Sequence, residues 1–112
     1  MGADSFIAFY GIKIGIDQND QDTLDALEAR TDSRLNDARQ HGLHVYFGRP
    51  AEGEDYFLYV GQRIGWLGVE NDTYVQVPLD KLSEIATRVQ ARLKEAGFRE
   101  NPALHLQLDA QY

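Results

Sequence analysis

Phe9-Tyr10-Gly11-Ile12-Lys13-Ile14-Gly15 and Tyr59-Val60-Gly61-Gln62-Arg63-Ile64-Gly65 are two versions of one pattern. Each runs aromatic, Gly, base, Ile, Gly in the same order. Each is followed by a polar acidic loop, a helix-like segment, a Gly, and a short strand-like run carrying one His. Together they suggest a chain built from two strand-helix-strand halves. The spacing is uneven, however. The glycines Gly11 and Gly61 lie 50 positions apart and the histidines His44 and His105 lie 61 apart, so chance resemblance competes with a true repeat.

The first copy sits in the clearest strand. Over residues 5–16, Phe6, Ala8, Tyr10, Ile12, Ile14 and Ile16 are apolar at period two, which places them on one face. The opposite face, with Ser5, Ile7, Phe9, Gly11, Lys13 and Gly15, is mixed and is expected to be less covered. The second copy lies in Asp55–Val69, a stretch rich in Tyr, Phe, Leu, Val, Ile and Trp and therefore strand-forming. Gly61, Gly65 and Gly68 punctuate it. Two architectures fit: a hairpin turning at Gly61-Gln62, where Gly-Xaa suits a type II′ turn, or one long strand bent by bulges at the glycines.

Working outward, residues 17–22 form a polar loop. A helix is expected over 22–41, with Leu24, Leu27, Leu35 and Ala38 as its apolar stripe. Thr31-Asp32-Ser33 competes with helical backbone bonding, so the segment is one helix or two short ones broken near 31–32. Gly42 ends it. Leu43–Phe47 is a short strand, residues 48–54 a loop, 70–72 a turn, and Tyr74–Val77 a returning strand. Pro78 opens a second helix with Leu82, Ile85, Ala86, Val89, Leu93 and Ala96 in one stripe, ended by Gly97. Leu104–Leu108 alternates as a final strand. The expected fold is one α+β domain over residues 1–112. It has a mostly antiparallel sheet of five to six strands with two helices on one face, compatible with a ferredoxin-like βαββαβ plan with an added hairpin.

Composition bounds the chemistry. The 112 residues contain no cysteine, which removes disulfides and thiolate metal sites and makes a reducing cytoplasm the default expectation. No basic-then-apolar signal segment opens the chain. The formal charge of −7 disfavours nucleic acid and suits either plain solubility or a basic partner. Seven acids between residues 17 and 37 face only Arg30 and Arg34 there.

Candidate sites are few. Asp17, Asn19, Asp25 and Glu28 fall at calcium-loop spacing, but Asp22 stands where such a loop needs Gly, and helix capping explains the acids better. His41, His44 and His105 make no metal motif, and neither a phosphate loop nor an activated serine is present. No cofactor and no catalytic residue is therefore expected. Tyr56, Tyr59, Arg63, Trp66 and Tyr74 are the interface candidates, because aromatics and Arg anchor interfaces and both faces of 56–60 are apolar. Loops such as 48–54 are the competing cover for that face. Tyr10, His44, Tyr46 and His105, with Trp66 and Arg63, would line a pocket between sheet and helices. The expected function is a small acidic non-enzymatic protein-interaction or inhibitor/immunity-type module, binding a protein partner or itself without a membrane. A small-molecule binding module or minor enzyme is the alternative.

Overall fold

A computed structural model describes residues 4–48, 54–68 and 71–109. The elements run β1 (Ser5–Ile16), α1 (Gln21–Glu28), α2 (Ser33–Gln40), β2 (His44–Gly48), β3 (Tyr56–Gly68), α3 (Leu79–Glu95) and β4 (Ala103–Asp109). The four strands form one antiparallel open sheet in the order β2-β3-β1-β4. α1 and α2 together are the first expected helix, broken between Glu28 and Ser33. The fold is thus α+β, with one bent helical segment and one straight helix.

The period-two face of β1 meets the helices from Tyr10 to Ile16 but not at Phe6, which is exposed. The other face, expected to be less covered, is buried at Ser5, Ile7 and Phe9, because aromatic rings pack there. Tyr10, Ile12 and Ile16 join Leu58 and Val60 of β3 in one buried cluster with Leu24, Leu27, Ala38, Val89 and Leu93. Tyr10 keeps its hydroxyl satisfied there by accepting from Gln90 Nε2 at 2.8 Å. The helix ends follow one rule three times. After α2 and α3, Gly42 and Gly97 take positive φ, and the next residue bonds back to Ala38 and Leu93 respectively. After α1 the same paired bonds form, Thr31 N–H to Ala26 O and Arg30 N–H to Leu27 O, but the left-handed position holds Arg30 at φ 60°. That position normally selects glycine.

Three expectations of the sequence are corrected. First, the sheet has four strands among the described residues, not five or six. Second, of the two readings of residues 55–69, the hairpin at Gly61-Gln62 does not form and the bent strand does. β3 runs past Gly61 paired with β1 on both sides of it, Gly11 with Gly61 and Tyr10 with Gln62. A 13-residue strand is stable here because β1 supplies a partner of 12 residues beside it. Third, Tyr74–Val77 is not a strand. Only an isolated bridge between Leu67 and Asp72 forms, and the segment crosses to α3 with Val75 lying on Gly65, where an added Cβ would come within 2.8 Å of Val75 Cγ2. The expected loop 48–54 falls largely on residues 49–53, outside the described residues.

The bend in β3 does have a bulge at its glycines. Phe9 pairs with Arg63 and Ala8 with Gly65, so Ile64 is the extra residue. Because side chains alternate faces, one extra residue reverses the parity beyond it. Ile64 packs with the helices, and Trp66 moves to the same face as Phe57 and Tyr59.

Candidate functional site

The sheet face opposite the helices carries an aromatic cluster. Ile7, Phe9, Phe57 and Tyr59 are buried, with Tyr46 and Trp66 packed against them. Ring centroids lie 5.5 Å apart for Phe9 and Tyr59, 5.0 Å for Phe57 and Tyr59, and 6.1 Å for the edge-on pair Tyr46 and Trp66. Such pairs stabilise by about 0.5–1.5 kcal/mol each beyond area burial. Polar side chains of β1 and β4 roof it. Lys13 Nζ lies 5.3 Å from the Phe57 ring centre and 5.7 Å from that of Tyr59. Tyr59 donates its hydroxyl hydrogen to Gln107 Oε1 at 2.9 Å, and His105 donates Nε2–H to Gly11 O at 2.9 Å. Burial pushes the Tyr59 hydroxyl above the ordinary tyrosine range. The long apolar stem of Lys13 and the amide of Gln107 cover rings while keeping their polar ends wet.

The interface candidates accordingly divide. Tyr59 is buried and offers no free surface. Tyr56 lies on the helix side, stacked on Phe47 at 5.4 Å. Arg63 and Trp66 stay together, guanidinium over indole at 5.7 Å, and the indole N–H is buried with no hydrogen-bond partner among the described residues. Tyr74 is exposed in the connection to α3.

The pocket candidates divide too. Tyr10 points into the helix layer, while Tyr46 and His105 belong to the aromatic face. His44 and His105 sit on the two opposite edge strands, β2 and β4, and do not meet. His44 accepts from the Arg63 backbone N–H at 3.2 Å. A hollow of about 240 Å³ beside Phe9, His44, Tyr46 and Arg63 is smaller than a usual ligand site. A larger cleft of about 650 Å³ lies at the α1–α2 break, lined by Arg30, Asp32, Arg39, Leu43 and Val45 among others, and holds none of the pocket candidates.

The acidic loop works as a cap. Asp17 Oδ1 accepts from Asn19 N–H at 2.8 Å, Asp20 caps α1 by accepting from Thr23, and Asp25 accepts from Gln21. No cluster of three metal-ligating side chains forms among the described residues. Asp32 caps α2 and holds Arg34 through two further bonds of 2.9–3.0 Å. Those bonds from Arg34 hold the Asp32 carboxyl below its ordinary range.

The surface that sequence reasoning missed is at β4. Its partner on one side is β1, and its other side is an open edge among the described residues. The register places Leu104, Leu106 and Leu108 opposite Tyr10, Ala8 and Phe6, on the helix side of the sheet. The helices do not reach this strip: Phe6 is 51 % exposed, Leu104 47 %, Leu106 74 % and Leu108 42 %. Alternation in 104–108 was visible in the sequence, but not that its strand would be an edge beyond the helices. Pro102 precedes the strand and Asp109 ends it, but no charged residue or proline occurs between them, over residues 103–108. Charges and prolines are the usual devices that protect an edge from pairing.

Comparison with family models, curated proteins and solved structures returned no match.

Proposed function

We propose that the protein is a non-enzymatic interaction module that associates with a second copy of itself along β4. The observation that carries this is the outer β4 edge, open among the described residues, with Phe6, Leu104, Leu106 and Leu108 exposed as one apolar strip beside it. Exposed apolar patches of this kind mark interaction sites, and an open edge offers its free backbone groups to another strand. On the aromatic face, by contrast, Phe57 and Tyr59 are covered within the chain by Lys13, His105 and Gln107. The order β2-β3-β1-β4 supports reading the fold as a ferredoxin-like plan without the added hairpin.

Sedimentation of the wild-type chain and of Leu106→Lys over a dilution series tests this. The wild type should sediment at twice the chain mass and dissociate on dilution. Leu106→Lys should remain folded by circular dichroism and sediment as a monomer. A wild type that is monomeric at every concentration overturns the proposal and favours a partner of different sequence.

A further inference from the structure

The geometry of β4 points to one particular arrangement of the two copies, and it rests on the self-association proposed above. We infer that two β4 strands pair antiparallel about a two-fold axis at Leu106, joining the two sheets into one.

The side chains choose this register. A two-fold antiparallel pairing places residues opposite one another whose numbers have a constant sum. An odd sum would oppose residues from different faces and put the partner's helices on the other side of the sheet, which a two-fold axis perpendicular to the sheet does not do. Even sums keep both helix layers and both leucine strips on one side. Among these, an axis at His105 opposes the two histidines and leaves Leu108 opposite Pro102. An axis at Gln107 pairs only Leu106 with Leu108. An axis at Leu106 places Leu106 opposite Leu106, Leu104 opposite Leu108, and His105 opposite Gln107. Every leucine then meets a leucine, and the two polar residues on the other face meet each other. Opposed apolar pairs are the unit of sheet stabilisation.

The run Leu-His-Leu-Gln-Leu over residues 104–108 is matched by its own copy in this register, which supports a second copy as the occupant, and the layout of charge allows it. A chain of net charge −7 repels its own copy unless the acids stay apart. The acidic 17–37 segment ends in α2, which packs on β2, and β2 is the edge farthest from β4. The two-fold at Leu106 therefore puts α2, with Asp32 at its cap and Asp37 within it, at the outer ends of the joined sheet. The leucines, His105 and Gln107 that meet are formally uncharged, and Asp109 of each copy falls at an end of the paired stretch, opposite Ala103.

Single-cysteine variants test the register in a chain that has no cysteine of its own. Opposed residues of an antiparallel pair have Cα atoms about 4.5–5.5 Å apart, within disulfide reach. Under mild oxidation Leu106→Cys should cross-link to itself at least ten-fold faster than Leu79→Cys, an equally exposed position on α3. Leu104→Cys mixed with Leu108→Cys should cross-link faster than either alone. If the wild type sediments as a dimer but Leu106→Cys cross-links no faster than Leu79→Cys, or Leu104→Cys alone reacts fastest, the register is wrong while self-association stands. If the wild type is monomeric, both proposals fall. Circular dichroism of each variant establishes that it is folded.

Discussion

Gly11 and Gly61 face each other across the β1–β3 ladder, and neither has room for a methyl group. A Cβ on Gly11 would lie 2.1 Å from Val60 O, and one on Gly61 would lie 2.1 Å from Tyr10 O. Both obstacles are backbone, so no side chain can rotate away. Around this point the repeated pattern meets itself. Lys13 pairs with Tyr59 and Phe9 pairs with Arg63, and each pair is the other's counterpart at an offset of 50 residues. The histidines follow no such rule: His44 pairs with Gly61, whereas Ala103, not His105, pairs with Gly11.

Gly11→Ala and Gly61→Ala should each destabilise the fold by roughly 3–5 kcal/mol, in the range reserved for severe steric conflict. Urea denaturation followed by circular dichroism measures this. Gly15, with nothing near its missing side chain, is the control, and Gly15→Ala should change stability by under about 1 kcal/mol. A loss of less than 1 kcal/mol at Gly11 contradicts the close approach.

Arg30 occupies the left-handed position that closes α1, where Gly42 and Gly97 stand after the other helices. A side chain in that conformation costs about 1–2 kcal/mol. Arg30→Gly should therefore raise stability by about 1 kcal/mol, offset in part by the greater freedom of glycine in the unfolded chain. An unchanged or lower thermal midpoint would show that Arg30 contributes contacts outweighing its strain.

Asp32→Asn keeps a side-chain oxygen able to cap α2 but removes the charge that holds Arg34. A loss of about 1 kcal/mol at neutral pH is expected. The Asp32 carboxyl is depressed below its ordinary 3.8 in the folded chain, chiefly by its hydrogen bonds from Arg34. Its contribution is thus complete above that ordinary value and is lost as pH falls through the lower folded one. The stability gap between wild type and Asp32→Asn should be constant at neutral pH and narrow in acid below about pH 4. A gap that widens in acid contradicts the sign.

Tyr59→Phe removes the bond to Gln107 and should cost about 1 kcal/mol at neutral pH. The folded Tyr59 hydroxyl titrates above the ordinary 10.0 because burial disfavours its anion. Above that ordinary value the unfolded chain loses its proton first, so wild-type stability falls as pH rises. Tyr59→Phe lacks this term, and its deficit should shrink in alkali. A deficit independent of pH up to 11 would place Tyr59 in contact with water.

β1, the helix ends and the break in the first helix were legible because local rules govern them: period-two alternation in β1, Gly at two helix ends, and Asp32 at a cap. Features set by pairing were not, among them residues 74–77, whose strand-like composition found no partner strand. Glycine within a strand suits a turn and a close approach alike, so Gly61 was open to the hairpin that the partner strand β1 rules out. The face on which Trp66 lies depends on one extra residue, Ile64, that only pairing reveals. For the same reason the β4 leucines were visible as an alternating run, while their exposure depended on sheet order and on how far α3 reaches.

Backbone amide exchange of residues 103–109, followed as the protein is diluted, tests the central claim most directly. Amides on the outward side of β4 have no partner strand among the described residues of one chain. If a second copy pairs there, those amides should exchange slowly at high concentration and at least ten-fold faster on dilution, while the inward ones bonded to β1 stay protected throughout. Outward amides that exchange at one fast rate at every concentration would contradict self-association through β4.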